Sequence, residues 1–240
     1  MPTIGTVTAD RPRFTAHLSR ECWHIRRSAM NRRLVLLSSL SAVSLAAAGS
    51  LSLLPARAGE PQSATDVRAA MRKLWEDHIT YTRNYIISAL ADLQDTDEVA
   101  KRLLQNQDDI GDAVKPYYGD AAGQKLAALL KDHIKIATEV VKAAKSGSKD
   151  KLSAAQEKWT GNADDIAVFL GKANPNWPEK DLRDMLHKHL QLTTGEVVGR
   201  LKKDWAADIK SYDEGHDHML KFADMLTEGI AKQFPDKFNG

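Results

Sequence analysis

The sequence predicts an all-α protein, a six-helix bundle built from three antiparallel helical hairpins. Three observations carry that prediction. From Ser63 to Phe234 apolar residues recur at helical spacing, and no run of alternating β-branched residues argues for a strand. Clusters of Gly, Pro and capping residues divide this stretch at intervals. The text also recurs: "DHITYTRNYIISAL" at 77–90, "DHIKIATEVVKAAK" at 132–145 and "KHLQLTTGEVVGRL" at 188–201. His78 and His133 are 55 residues apart and His133 and His189 are 56 apart. Asn106 to Asn162 and Asp109 to Asp165 are both 56, so an internal repeat of about 55 residues is expected.

The elements follow in chain order. From Met30 the chain reads "MNRRLVLLSSLSAVSLAAAGSLSLLPARA", a basic n-region, an apolar h-region and small residues at Ala56 and Ala58. That layout predicts an export signal over residues 1–58, cleaved after Ala58. The "RRLVL" at 32–36 also suits a twin-arginine signal. Residues 1–29 precede a more natural start at Met30 and read as an over-extended N-terminus. An uncleaved anchor is the alternative, since Leu34 to Leu54 is just long enough to span a bilayer. Its dilution with Ser and Gly favours cleavage and no stable membrane insertion afterwards.

Residues 59–240 then form a single helical domain. Of the chain's 34 Lys/Arg and 32 Asp/Glu, 8 and 2 lie within 1–58, leaving 26 basic and 30 acidic groups, about −4 net. That balance gives no electrostatic case for a nucleic-acid partner, which would need a basic face. The one cysteine, Cys22, lies in the signal, so the mature chain has neither disulfides nor thiolate ligands. About 180 residues can bury one core without such staples.

Within the domain, Thr96 is expected to cap the second helix, and Pro116 and Gly119 in "KPYYGD" to end it, with Asp120 capping the third. Gly147 and Ser148 break and cap at "SGSK", and "NPNWP" at 174–178 is a turn with Pro178 in a first helical turn. The last break, near Lys202 to Asp204, has no Gly or Pro and is placed by analogy.

The candidate site comes from polar residues inside apolar stripes. Leu126, Leu129, Leu130, His133, Ala137, Val140 and Ala144 share one helical face, with His133 in its middle. His78 and His189 occupy the same place in their helices. The partner helices offer Asn106 with Asp109, Asn162 with Asp165, and Asp213 with His216, each pair at i, i+3 on one face. The midpoints His133/Asn162, His189/His216 and His78/Asn106 fall at or near the turns, so each histidine is expected to face its pair.

Buried unpaired, such groups would cost roughly 1–3 kcal/mol each, so they need partners. One reading is structural, with hydrogen bonds fixing helix register. The other is a divalent transition metal, identity open, held by His78, His133, His189, His216, Asp109, Asp165 and Asp213, with Asn106, Asn162 and Glu196 as supporting groups. A cavity for a small polar ligand, lined by the same residues, is a third.

Other motifs carry less. "HKH" at 187–189 and "HDH" at 216–218 cannot chelate one ion from a helix, because i and i+2 lie about 200° apart. His187 and His218 are therefore expected in solvent or at helix boundaries. "DTD" at 95–97 sits where capping residues belong. Tyr117, Tyr118 and Trp177, in the loops between hairpins, close a bundle end or rim a pocket. No nucleotide-binding glycine loop, G-x-S-x-G or HExxH is present.

From "LWEDHITYTRNYIISAL" through "NQDDIG", "KPYYG", "NADDIAVFL", "NPNW" and "HLQLTTGEVV" to "GIAKQF", the chain resembles a family of small exported bacterial all-helical proteins. Members carry inconsistent names, glycosyltransferase and acetylglutamate kinase among them. The resemblance implies an all-helical envelope protein, periplasmic or secreted, and carries over no catalytic residue. Either transferase would need a nucleotide-binding α/β fold that six consecutive helices do not supply. The expected function is thus non-catalytic binding of a metal ion or small polar ligand. A metal-dependent or His/Asp acid–base enzyme, and a structural or stress-related protein, are the alternatives.

Overall fold

A computed structural model describes residues 63–238; the expected export signal over 1–58 lies outside them. Six helices follow one another: α1 (Ala64–Leu90), α2 (Thr96–Tyr118), α3 (Asp120–Ser146), α4 (Lys149–Ala173), α5 (Glu179–Leu201) and α6 (Trp205–Gln233). A short 3-10 turn, Pro235–Lys237, follows α6. Among the described residues no helix is long and apolar enough to cross a membrane.

Each helix packs on its sequence neighbours, and α1 also packs on α6, so the six close into a ring. The odd-numbered helices α1, α3 and α5 additionally meet one another across the middle. Side chains projecting inward from these three therefore meet at the centre of the protein. The core around them runs from Met71, Trp75 and Ile79 through Leu130, Trp159 and Ile166 to Leu186, Phe222 and Leu226.

The turns after α1, α3 and α5 share one device. Each contains a residue with left-handed backbone: Asp92 at φ 54°, Gly147 at φ 71° and Lys203 at φ 59°. In the first and third, a backbone bond closes the helix end behind it, Leu93 N–H to the Ser88 carbonyl and Asp204 N–H to the Gly199 carbonyl, both 2.9 Å. The ungrammatical break near Lys202 is thus a helix stop made by conformation rather than by Gly or Pro. Ser148 and Asp204 then cap α4 and α6 by accepting from the N–H groups of Lys151 and Ala207.

Three expected boundaries shift. Pro116 does not end α2, which continues through it to Tyr118 because Gly119, at φ 81°, makes the stop. Asp120 makes no capping bond, since Gly119 is the residue that precedes α3. Thr96 opens α2 but turns its hydroxyl back to the Leu93 carbonyl rather than capping the helix.

At the opposite end, the loop aromatics close the bundle. Asn174 donates from Nδ2 to Tyr118 Oη, Tyr118 Oη donates to Gln233 Oε1, and Trp177 Nε1–H donates to the Met225 carbonyl. Trp177 is buried against Gly229, where an added Cβ would stand 1.9 Å from the indole nitrogen.

Lys203 occupies the left-handed region that costs a side chain roughly 1 kcal/mol. Lys203→Gly should therefore raise stability by about 0.5–1 kcal/mol, and Gly147→Ala should lower it by a similar amount. Chemical denaturation of the two variants with unchanged m values checks both signs.

Candidate functional site

Three of the predicted site residues come together. His78 of α1, His133 of α3 and His189 of α5 are 2–3 % exposed. Their rings meet at the bundle centre, with centroids 5.6 Å apart for His78 and His189 and 6.0 Å for His133 and His189. All three line a cavity of about 20 Å³, whose remaining walls include Tyr85, Ile86, Leu103, Val141, Trp159 and Val197. A space of that size takes a single water or an ion.

The three rings differ in their bonding. His133 uses both nitrogens: Nε2 accepts from Trp159 Nε1–H at 3.1 Å, so Nδ1 carries the proton and donates to Asn162 Oδ1 at 2.8 Å. The Nδ1 atoms of His78 and His189, in contrast, are buried without a hydrogen-bond partner. The Gln107 carboxamide lies beside His78 and favours its protonated form, yet Gln107 Oε1 also stays unpaired, so no aligned hydrogen bond closes.

All three imidazoles are held neutral. Burial lowers His78 to about 3 and His133 to about 4, with the charge of His133 adding to the depression at His78 and Asn162 opposing it at His133. Burial also lowers His189 well below the ordinary value, reinforced by His78, His133 and His218. A neutral imidazole is a ligand or a hydrogen-bonding group, not a cation, at any pH near 7.

Asn106 and Asn162 act on helix carbonyls. Asn106 Nδ2 donates to the Leu74 carbonyl at 3.0 Å and Asn162 Nδ2 to the Leu129 carbonyl at 3.1 Å, in each case the carbonyl four residues before the histidine. In the third hairpin His218 does the same, donating from Nε2 to the Met185 carbonyl at 2.8 Å. The expected facing of His189 with Asp213 and His216 is therefore replaced by His218, which is 56 residues beyond Asn162. His218 is partly buried at a helix interface rather than in solvent.

The remaining predicted residues lie elsewhere. His216 is near Glu76, with Nε2 3.4 Å from Oε1, at the edge of the α1/α6 seam. Asp109 faces Arg102 at 3.6 Å, while Asp165 and Asp213 are exposed. His187 is at the surface with Asp164, as expected of a solvated residue. Among the described residues, no group of three or more His, Cys, Asp or Glu is arranged to hold a metal ion.

Glu196 belongs to a second buried cluster that the sequence reading missed. Arg83 of α1 grips Asp208 of α6 with two bonds, 2.7 and 3.1 Å, and Arg200 of α5 adds a third at 2.9 Å. Glu196 lies 2.9 Å from Arg83 Nη1 as a charge contact without an aligned hydrogen bond. Burial raises the Glu196 carboxyl to about 7, against the pull of Arg83 and with help from Asp208. Burial works against Asp208 as well, but bonds and charge from Arg83 and Arg200 outweigh it and hold that carboxyl below its ordinary value. The signal was faint because Arg83 sits in an ordinary polar helix position and Asp208 in a first helical turn, where an acid is expected for other reasons.

Comparison with family models, with curated proteins and with solved structures finds no match for this chain.

The buried rings set a pH dependence. A histidine whose folded pKa is depressed contributes stability fully present above its unfolded value near 6.5, and loses it as pH falls toward the folded value. Between pH 6.5 and about 4.5 the unfolded chain gains up to three protons that the folded rings refuse, while Glu196, protonated early in the folded state, works in the opposite direction. The metal-free protein should thus lose stability as pH falls through that window, with a slope that steepens to about 2.7 kcal/mol per pH unit, two protons net, in its acid half. Denaturation at pH 6.5, 5.5 and 4.5 checks this slope. His133→Ala should cost about 3 kcal/mol at pH 7, through the cavity and the stranded Asn162 and Trp159, and flatten the slope by about one proton.

Proposed function

We propose that this is an exported, non-catalytic binding protein whose occupant sits in the cavity between His78 and His189. The observation that carries this reading is the pair of neutral rings, His78 and His189, that line a cavity of about 20 Å³ and whose Nδ1 atoms have no hydrogen-bond partner. A buried polar nitrogen without a partner is costly, so a site with two of them calls for something bound. The cavity admits one ion or water-sized species, which argues against a substrate and against turnover. Among the described residues the cavity wall holds no carboxylate to serve as a general base, which weighs against the acid–base enzyme. Export rests on the signal-like segment within 1–58 and on the resemblance to small exported helical proteins.

Triplication of one helical hairpin accounts for the site. Its supports are matched positions at 55 and 56 residues: the left-handed residues 92, 147 and 203, the histidines 78, 133 and 189, and the carbonyls of 74, 129 and 185. Three copies bring one histidine each to the bundle centre.

A second reading is favoured at one position. His133 is saturated by Asn162 and Trp159, so its role is to fix α3 against α4, and the carbonyl bonds of Asn106, Asn162 and His218 fix register in all three hairpins. Binding then belongs to His78 and His189, and register to His133.

The test is to purify the mature protein from the periplasm, without chelators or a His-tag, and determine bound elements per chain together with its mass under native conditions. The wild type should retain an occupant that a His78→Ala/His189→Ala variant lacks. Absence of any occupant in folded protein, including after incubation with copper(I), copper(II), zinc, nickel and cobalt, would contradict the reading.

A further inference from the structure

The cavity lining also narrows the class of occupant, an inference that rests on the reading just proposed. Among the described residues its walls supply imidazole, indole N–H, hydroxyl and aliphatic groups, with no carboxylate and no thiolate. A dication there would keep its full charge in apolar surroundings. Because the cost of burying an ion grows with the square of its charge, a dication is about four times as costly to bury as a monocation. Zinc, moreover, takes four ligands in a structural site and three protein ligands in a catalytic one. With His133 committed to Asn162 and Trp159, the rings free to coordinate are two.

Two neutral nitrogen ligands suit a monovalent d10 ion of low coordination number. Two metal–nitrogen bonds of ~2.0 Å, plus ~1.1 Å from each nitrogen to its ring centre, span ~6 Å when the ion lies between the rings. The His78 and His189 centroids are 5.6 Å apart. Copper is among the metals imidazole serves well, and its monovalent form is the one that tolerates a dry site with no anionic partner.

We propose that His78 and His189 hold one copper(I) ion between α1 and α5, in a cavity with room for one such ion and, among the described residues, no carboxylate in its walls. Access is at hand. A surface groove of about 380 Å³ between α4 and α5, edged by Gln156, Thr160, His187 and Gln191, shares Trp159 and Thr194 with the cavity wall. An ion arriving in that groove is one side-chain layer, Trp159 and Thr194, from the cavity.

The experiment is an anaerobic titration of the folded mature protein with copper(I) against a chromophoric chelator, with X-ray absorption at the copper edge, repeated with zinc(II). The wild type should bind one copper(I) per chain through two nitrogen ligands. His78→Ala and His189→Ala should each weaken binding by at least ~100-fold. His133→Gln, checked for helicity, should keep the one-to-one stoichiometry. Zinc bound with the same histidine dependence, and copper(I) not bound, would overturn the copper assignment while sparing the cavity reading. Copper retained by the His78/His189 double variant would place the ion elsewhere and also overturn it. Neither metal bound by folded protein would overturn both.

Discussion

Three uncharged imidazoles buried where α1, α3 and α5 meet are the constraint on which this structure turns. Each comes from the middle of an apolar stripe, so none can reach water without unpacking its helix. The rings must stay neutral, because two or three imidazolium ions within 6 Å in an apolar core would repel one another without screening. Once neutral, each ring has one donor and one acceptor nitrogen to satisfy. How the protein meets that demand separates the three. At His133 it is met by Asn162 and Trp159; at His78 and His189 Nδ1 has no partner, and both rings line the cavity.

The rest of the bundle holds those rings in place. Asn106, Asn162 and His218 each tie an even-numbered helix to a carbonyl of its odd-numbered partner, one helical turn before the histidine. Register within each hairpin is thereby set next to the ring it positions, since a shift of one residue would take both the carbonyl and the imidazole out of reach. Above the cavity, Arg83, Arg200, Glu196 and Asp208 bind α1, α5 and α6 together near the hairpin turns. Asp208 stays ionised while burial keeps Glu196 partly protonated near pH 7, so Arg83 and Arg200 outweigh the two acids and the cluster carries a net positive charge.

Much of this was legible in the sequence. Helical periodicity and the turn residues placed all six helices, and the recurrence of His78, His133 and His189 at equivalent stripe positions put three rings in one place. Even the break at 202–204 follows from analogy with the other hairpins, although Lys203 gives no compositional hint of its left-handed backbone. What stayed hidden depended on tertiary geometry. The pairing of His189 with Asp213 and His216 came from counting outward from the turn, which errs by a residue or two. The residue of α6 that instead bonds the Met185 carbonyl, His218, lies one half-turn further along and so on a different face. Asp109 and Asp165 share a face with the asparagines in the i, i+3 sense, but that face is wide enough for the asparagine to enter the core and the aspartate to remain outside. Sequence spacing places residues on a side of a helix, and only packing decides which of them is under the neighbouring helix.

The measurement closest to the central claim is the protonation and tautomer of the core rings, read from long-range ¹H–¹⁵N correlations of the imidazole nitrogens in metal-free protein at pH 5.5. Three histidines should remain neutral there, one of them in the Nδ1–H form and unchanged in His78→Ala, assignable to His133 through its loss in His133→Gln. If all the histidines titrate together near pH 6.5, or if His133 carries its proton on Nε2, the rings are not the buried neutral set that organises this bundle.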